Sequence, residues 1–258
     1  MDQIARVLLV ATLVSLCLDR PLWAQAQSQN HPELALACGH FTQDQLPQPE
    51  PQGAASAKKR FEEINAAVKV QPYRVIFFGD SLTERFETWD APELWREHMA
   101  ARGVLNAGVG GDVTEHLRWR LDHGNLDGPP PQGMVLLIGT NDLGIGRSVE
   151  DAAEGIRANL LRAREKVPDA RILLLGLWPR GGDPNSKFRA AIRELNNLIR
   201  SCSDDHAVIY ADIGGALLDS DGRLSRAISP DLVHFNRAGY GRLVPELDQL
   251  IDRLTPTR

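Results

Sequence analysis

Short apolar runs that alternate with amphipathic segments constrain the fold of this chain most strongly. Two of them, residues 134–138 and 172–177, are almost continuously apolar, which is typical of strands buried on both faces. Three weaker runs of strand-favouring residues are 74–78, 104–105 and 207–210. Buried strands that alternate with helices predict a parallel sheet of about five strands with helices on both sides.

The segments between these runs have apolar residues at helical spacing. Residues 59–70 are predicted to form a helix, and 237–254 are predicted to form the last one. Ser148 is a predicted helix cap, with Asp151 three residues later. We find neither an internal repeat nor a second domain in the pattern.

The N-terminus has the features of a targeting segment. Arg6 precedes an apolar stretch over residues 7–18, and Ala24-Gln25-Ala26 has the small residues that a signal peptidase prefers. A stretch of about 12 apolar residues is too short to span a bilayer as a helix. We therefore predict a signal peptide over residues 1–26 and a periplasmic or secreted protein without a stable membrane span; an uncleaved anchor is the alternative.

Residues 27–57 are rich in Gln and Pro and are predicted to form an extended tail ahead of a domain over residues 58–258. Cys38 and Cys202 remain after signal cleavage, and either a bridge between them or two unpaired thiols fits the sequence.

The net charge of −5 argues against a nucleic-acid binder. No Cys/His spacing indicates a metal site. The sequence does not predict the oligomeric state.

Four polar motifs lie where a parallel sheet places its reactive groups, at the carboxyl ends of strands or in a late loop. They are Gly79-Asp80-Ser81-Leu82, Asn106 to Asp112, Gly139-Thr140-Asn141-Asp142 and Asp231-Leu232-Val233-His234. Each motif alone is weak evidence, because short turns of this composition are common. Their joint presence in this order is the informative feature.

Together the motifs resemble the conserved blocks of SGNH (GDSL-type) hydrolases over roughly residues 73–254. The resemblance implies a flavodoxin-like, three-layer α/β/α fold and a serine esterase without cofactor or metal. Ser81 would be the nucleophile, with Asp231 and His234 completing its triad. The backbone N–H groups of Ser81 and Gly111 and the side-chain amide of Asn141 would form the oxyanion hole.

Longer runs, such as residues 105–120 and 176–181, resemble the catalytic α subunits of brain-type platelet-activating-factor acetylhydrolases. That resemblance implies cleavage of short acyl groups, typically acetyl. Asp142 is a departure, because the subfamily has a second Asn there. The resemblance therefore predicts hydrolysis of small esters. The predicted export alone indicates O-acetylated exopolysaccharide or cell-surface glycan as the expected substrate.

Two other functions fit the same motifs. The same triad would serve an acyltransferase acting on polysaccharide, and a non-catalytic glycan-binding protein could retain the fold. We expect Asp80 and Asp112 to be hydrogen-bonding struts and not chemical groups. Trp89, Trp95 and Trp119 have the spacing of core packing residues, although one of them could line the acyl pocket.

Overall fold

The computed structural model describes residues 36–42 and 46–255. The predicted signal peptide lies outside the described residues. Among the helices that the structure describes, none combines the length and the apolar character needed to cross a membrane.

A parallel sheet of five strands forms the centre of the described chain. The strands are β1 (Val75–Gly79), β2 (Val104–Gly108), β3 (Gly133–Leu137), β4 (Arg171–Leu175) and β5 (Val208–Ala211). Their order is β2-β1-β3-β4-β5, and every neighbouring pair is parallel. This is the flavodoxin-like order, so the predicted fold is confirmed.

Eight α-helices connect and cover the strands within the described residues. They are α1 (Ala55–Val70), α2 (Ser81–Arg85), α3 (Pro92–Leu94), α4 (Thr114–Asp122), α5 (Thr140–Gly144), α6 (Val149–Lys166), α7 (Lys187–Arg200) and α8 (Arg237–Leu254). Between α2 and β2 the chain also forms π-helical turns at Phe86–Asp90 and Trp95–Met99 and a 3₁₀ turn at Ala100–Arg102; a second 3₁₀ turn is Gly214–Leu217. As predicted, Ser148 caps α6 by accepting a hydrogen bond from Asp151 N.

Each face of the sheet has its own hydrophobic core, because successive strand side chains point to opposite faces. In β1, Ile76 and Phe78 belong to one core, together with apolar residues of α1, α4, α6 and α7. Val75 and Phe77 belong to the other, together with α8 and the short helices after β1. Three of the four polar motifs lie at the carboxyl ends of β1, β2 and β3, and the fourth lies in the loop ahead of α8.

Cys38 and Cys202 form a disulfide bond, which decides between the two alternatives that the sequence left open. Their Cα atoms are 4.3 Å apart although 164 positions separate them in the chain. Nearby, Phe41 N donates a hydrogen bond to Glu154 Oε2 on α6 at 2.9 Å. The segment ahead of α1 is therefore attached to the α6 and α7 side of the domain.

Candidate active site

Ser81 is the first residue of α2 and follows β1 after a single turn residue, Asp80. The Asp80 side chain caps α2 by accepting a hydrogen bond from Leu82 N at 2.9 Å. The turn requires glycine at position 79, because a Cβ there would lie 2.1 Å from Thr83 Oγ1 and 2.7 Å from the Leu137 carbonyl. The sequence Gly-Asp-Ser thus places the Ser81 hydroxyl at the carboxyl end of a central strand.

His234 reaches Ser81 from a loop 153 positions further along the chain. Ser81 Oγ lies 2.9 Å from His234 Nε2, and His234 Nδ1 lies 2.7 Å from Asp231 Oδ2. The tautomer with the proton on Nδ1 satisfies both contacts, since Nδ1–H donates to Asp231 and Nε2 accepts from the serine hydroxyl. The structure therefore brings together the three residues that were predicted to form a triad.

The loop carrying His234 is built by local hydrogen bonds. Asp231 Oδ1 accepts from the N–H groups of Val233 at 2.9 Å and His234 at 2.8 Å. Leu232 adopts the left-handed conformation (φ 62°), which non-glycine residues adopt at a cost of about 1–2 kcal/mol. Its carbonyl is held by Gly181 N at 2.8 Å. This turn lets residues three positions apart point their side chains at each other.

Asp231 is stabilised in its charged form. Partial burial by itself raises the pKa of Asp231, but the hydrogen bond from the His234 ring and those from the backbone N–H groups of His234 and Val233 outweigh it and lower the pKa to about 2. Asp231 is 53% exposed and His234 is 24% exposed. The carboxylate is therefore ionised at neutral pH, at a site that opens to solvent.

The glycine-rich loop after β2 passes directly beside Ser81. A Cβ added to Gly110 would lie 3.7 Å from Ser81 Cβ. Gly111 has a φ of 83° and is exposed, and its N–H has no hydrogen-bond acceptor among the described residues. Asn141 Nδ2 donates to the Asp112 carbonyl at 2.9 Å, which joins the third motif to this loop. The structure thus brings Asn141 into contact with the loop that carries Gly111, and this loop passes beside Ser81.

Asp112 and Arg120 form a buried brace beneath the site. Arg120 Nε donates to Asp112 Oδ2 at 2.7 Å, and its other nitrogens donate to the carbonyls of Ala107 at 3.1 Å and Gly79 at 3.2 Å. One side chain therefore connects the ends of β1 and β2. The geometry agrees with the strut expected at Asp112, and the capping contact agrees with the one expected at Asp80.

Asp142, which replaces the second Asn of the related subfamily, has a structural role comparable to that of Asp112. It accepts from Thr114 Oγ1 and from Arg147 Nη1, both at 2.7 Å. Its side chain is fully buried, so these partners are required to offset its desolvation. Asp142 therefore connects the third motif to the start of α4.

Several residues at the site were not predicted from the sequence. Gln52 and Glu84 hydrogen-bond the glycine-rich loop, and Arg120 and Arg147 neutralise the buried carboxylates. Arg120 lies in a run that resembles known acetylhydrolases, which was a usable signal. Gln52 lies in the segment predicted to be a tail, where composition carries no such signal.

The tryptophan prediction was correct for one residue only. Trp95 is buried, whereas Trp119 is half-buried and stacks on His123 with ring centroids 4.1 Å apart. Trp89 is 65% exposed, so its assignment to the core was wrong. Helical spacing did not locate it, because the π-helical turn at Phe86–Asp90 changes which residues share a face.

Within the described residues, one group of side chains has the spacing of a metal site: Glu50, Glu115 and His116, whose ligand atoms lie within 4.8 Å of one another. Glu115, however, already makes a two-point ion pair with Arg147. Its oxygens are therefore engaged, and we assign the group no metal.

Comparison with known proteins agrees with this geometry. The sequence model of the GDSL-like lipase/acylhydrolase family matches residues 77–242. The human platelet-activating factor acetylhydrolase IB subunit alpha1 is 36% identical over 181 residues, which cover 70% of this chain and 76% of that protein. The rat subunit alpha2 is 35% identical over 181 residues, with the same shares of the two chains.

Solved structures share the fold at lower identity. A GDSL-like lipase from Bacteroides thetaiotaomicron has a TM-score of 0.62 at 21% identity and covers 76% of this chain and 97% of its own. A catalytic mutant of an acetylxylan esterase from Geobacillus stearothermophilus has a TM-score of 0.56 at 17% identity, with coverages of 71% and 96%. The resemblance inferred from the four motifs is confirmed: the chain is a hydrolase that belongs to the GDSL-like lipase/acylhydrolase family.

Proposed function

We propose that this hydrolase is an exported serine esterase that removes small acyl groups, acetyl foremost, from O-acetylated polysaccharide or cell-surface glycan. The observation that carries the serine chemistry is the hydrogen-bonded chain from Ser81 through His234 to Asp231. Relatives that are 36% identical and named as acetylhydrolases support the short acyl group.

The reaction follows from the direction of these hydrogen bonds. Ser81 Oγ attacks the ester carbonyl carbon while its proton passes to His234 Nε2, which Asp231 keeps in the correct tautomer. The tetrahedral intermediate then expels the alcohol, which takes the proton from His234 and leaves an acyl group on Ser81. Water then attacks that acyl group while its proton passes to His234. Collapse of this second tetrahedral intermediate releases the acid, and the proton passes from His234 back to Ser81 Oγ.

The negative oxygen of each tetrahedral intermediate needs donors that are already in place. We assign this function to the N–H groups of Ser81 and Gly111 and to Asn141 Nδ2. The N–H of Gly111 is not used by the described residues, and Asn141 Nδ2 has a second hydrogen beyond the one given to Asp112. Loss of one such donor costs about 10²–10³ in kcat.

Export is supported by two independent features. The sequence begins with a segment typical of a signal peptide, and Cys38 and Cys202 are paired. Disulfide bonds persist in the periplasm and outside the cell and are rare in a reducing cytoplasm. The expected result is a mature protein processed near Ala26 and recovered outside the cytoplasm; full-length protein that stays in the cytoplasm with free thiols would contradict the proposal.

A glycan substrate is supported by the exposure of the site. With Asp231 about half exposed, a bulky alcohol group can approach the triad from solvent. Trp89 lies eight residues after Ser81 and is held by Arg85, whose guanidinium carbon is 5.7 Å from the indole centroid and which itself pairs with Asp90. An exposed, preordered indole is a suitable surface for a sugar ring. The fold shared with an acetylxylan esterase is compatible with such a substrate.

The test is acetate release from acetylated polysaccharides beside a series of p-nitrophenyl esters of increasing acyl length. We expect acetyl to be preferred, Ser81→Ala to be inactive, and a fluorophosphonate probe to label the wild type but not that variant. Cleavage of lipid esters without acetate release from any glycan would refute the glycan substrate. Product analysis with an acceptor sugar present separates hydrolysis from acyl transfer.

A Trp89→Ala variant tests the sugar-binding surface. We expect KM for the acetylated polysaccharide to rise while kinetic constants for p-nitrophenyl acetate stay unchanged. Val70→Ala, which shortens an exposed apolar side chain at the end of α1, is the control. Equal effects of Trp89→Ala on the two substrates would argue against a sugar contact.

A further inference from the structure

We infer that Gln52, in the segment ahead of α1, is a positioning residue that fixes the orientation of the glycine donor in the oxyanion hole; the inference rests on the proposed function. Gln52 Nε2 donates hydrogen bonds to the Gly110 carbonyl and to Asp112 Oδ1, both at 2.9 Å. The residue thus contacts the loop that carries the proposed donor, Gly111 N–H, without touching the reacting atoms.

The orientation follows from peptide geometry. The Gly110 carbonyl and the Gly111 N–H belong to one planar trans peptide, so they point in opposite directions. A hydrogen bond that holds the carbonyl on the Gln52 side therefore directs the N–H to the other side. A Cβ at Gly111 would lie 3.4 Å from Gln52 Nε2, whereas a Cβ at Gly110 would lie 3.7 Å from Ser81 Cβ. The loop is thus located between Gln52 and the serine.

The loop needs such a restraint, because consecutive glycines have little steric resistance to rotation of the peptide between them. A flipped Gly110–Gly111 peptide would direct a carbonyl oxygen at the developing oxyanion instead of a donor. On the other side of Gly110, Glu84 Oε2 accepts from the Gly110 N–H at 2.6 Å. Gln52 and Glu84 therefore fix the two peptide planes that flank Gly110.

The chemistry of the position requires a primary amide. Both acceptors are oxygens, so one nitrogen must supply two hydrogens, and Nε2 of glutamine does so without adding charge. Asp112 is a fixed reference point, because its side chain is completely buried and paired with Arg120 at 2.7 Å. A glutamate at position 52 would have the same shape but no donor, and it would face the Asp112 carboxylate.

The segment that carries Gln52 is itself attached to the domain. Arg118 of α4 donates to the Pro47 carbonyl, and the Cys38–Cys202 disulfide anchors the chain further upstream. These contacts reduce the entropy that Gln52 would otherwise lose when it binds the loop. A region whose composition predicts a tail therefore completes the proposed active site.

The experiment compares Gln52→Leu and Gln52→Glu with Gln48→Leu, a matched change at an exposed glutamine of the same segment. With p-nitrophenyl acetate we expect kcat to fall about 10- to 100-fold in both Gln52 variants while KM stays within about two-fold, because the oxyanion forms only after binding. The Gln48 variant should match the wild type. If Gln52→Leu does not fold, the isosteric Gln52→Glu carries the test.

Affinity for a trifluoromethyl ketone, which forms an oxyanion adduct with the serine, is the second measurement. It should weaken in parallel with kcat at an unchanged melting temperature, which a purely structural effect would not produce. Gln52 variants with wild-type kcat, or with a changed KM alone, overturn the inference. Retained activity in Ser81→Ala would instead overturn the proposed function, so the two failures are distinguishable.

Discussion

Asp80 adjoins the proposed nucleophile and provides a test of the electrostatics of the site. Its side chain is 1% exposed, and its Oδ2 accepts no hydrogen bond from the described residues. Burial, reinforced by the nearby Asp112 and Asp142 carboxylates, raises the pKa of Asp80 from 3.8 to about 7, against the hydrogen bond from Leu82 N. Asp80→Asn removes the charge but keeps an oxygen that can cap α2.

The direction of the change in stability with pH follows from which state of the protein, folded or unfolded, binds the Asp80 proton. Between pH 4 and pH 7 folded Asp80 holds a proton that the unfolded chain releases, so stability falls as the pH rises through this window. With pKa values of 3.8 and about 7, and at about 1.4 kcal/mol per pH unit between them, ionised Asp80 costs about 4 kcal/mol above pH 7. Well below pH 3.8 the carboxyl is neutral in both states and costs nothing.

The assay is urea unfolding of the wild type and Asp80→Asn at several pH values from 4 to 8. Other carboxylates titrate in both proteins, so the difference between their free energies of unfolding isolates Asp80. The variant should gain about 4 kcal/mol relative to the wild type between pH 4 and pH 8. A difference that does not change with pH would refute the reasoning, whatever its absolute value.

Further outcomes are expected at other positions. Asn141→Ala should lower kcat for p-nitrophenyl acetate by about 10²–10³ with KM little changed, and a kcat near that of the wild type would remove Asn141 from the oxyanion hole. Cys38→Ser should lower the free energy of unfolding in urea by about 5 kcal/mol, because the bond closes a loop between positions 164 apart; equal stability of wild type and variant would contradict this. Arg120→Leu leaves Asp112 buried without its cation and should cost about 3–5 kcal/mol in thermal unfolding.

The sheet could be predicted from the sequence because the apolar run that indicates each strand is local. All five strands lie where apolar runs predict them, and only β2 is clearly longer than its run of two residues. Residues 106–108 of β2 are polar or small, yet they pair with Phe77, Phe78 and Gly79 of β1. Pairing with a central strand extends β2 in a way that composition does not reveal. The site residues could also be predicted from the sequence, because each lies in a short motif at a strand end or in one loop.

The residues that escaped prediction act through partners far away in the chain. Gln52 and the loop at Gly110 are 58 positions apart, and their contact is decided by where α1 packs. Trp89 shows the converse error, since helical spacing predicted a core residue and a π-helical turn directs it to solvent. Periodicity reports which face a side chain shares with its neighbours, but it does not report what lies opposite that face.

Asp142 illustrates why a departure from a family pattern has to be judged by its surroundings. A buried carboxylate without a partner costs several kcal/mol, so an Asn-to-Asp change in a motif next to the nucleophile would be expected to damage the site. Here Arg147 supplies the opposite charge and Thr114 a hydroxyl donor, and Arg147 also binds Glu115. The charge is thus neutralised by residues on neighbouring elements, while Asn141, one position earlier, keeps its contact with the Asp112 carbonyl. The aspartate at position 142 therefore changes which residues hold the third motif, and it leaves the proposed oxyanion donor Asn141 in place.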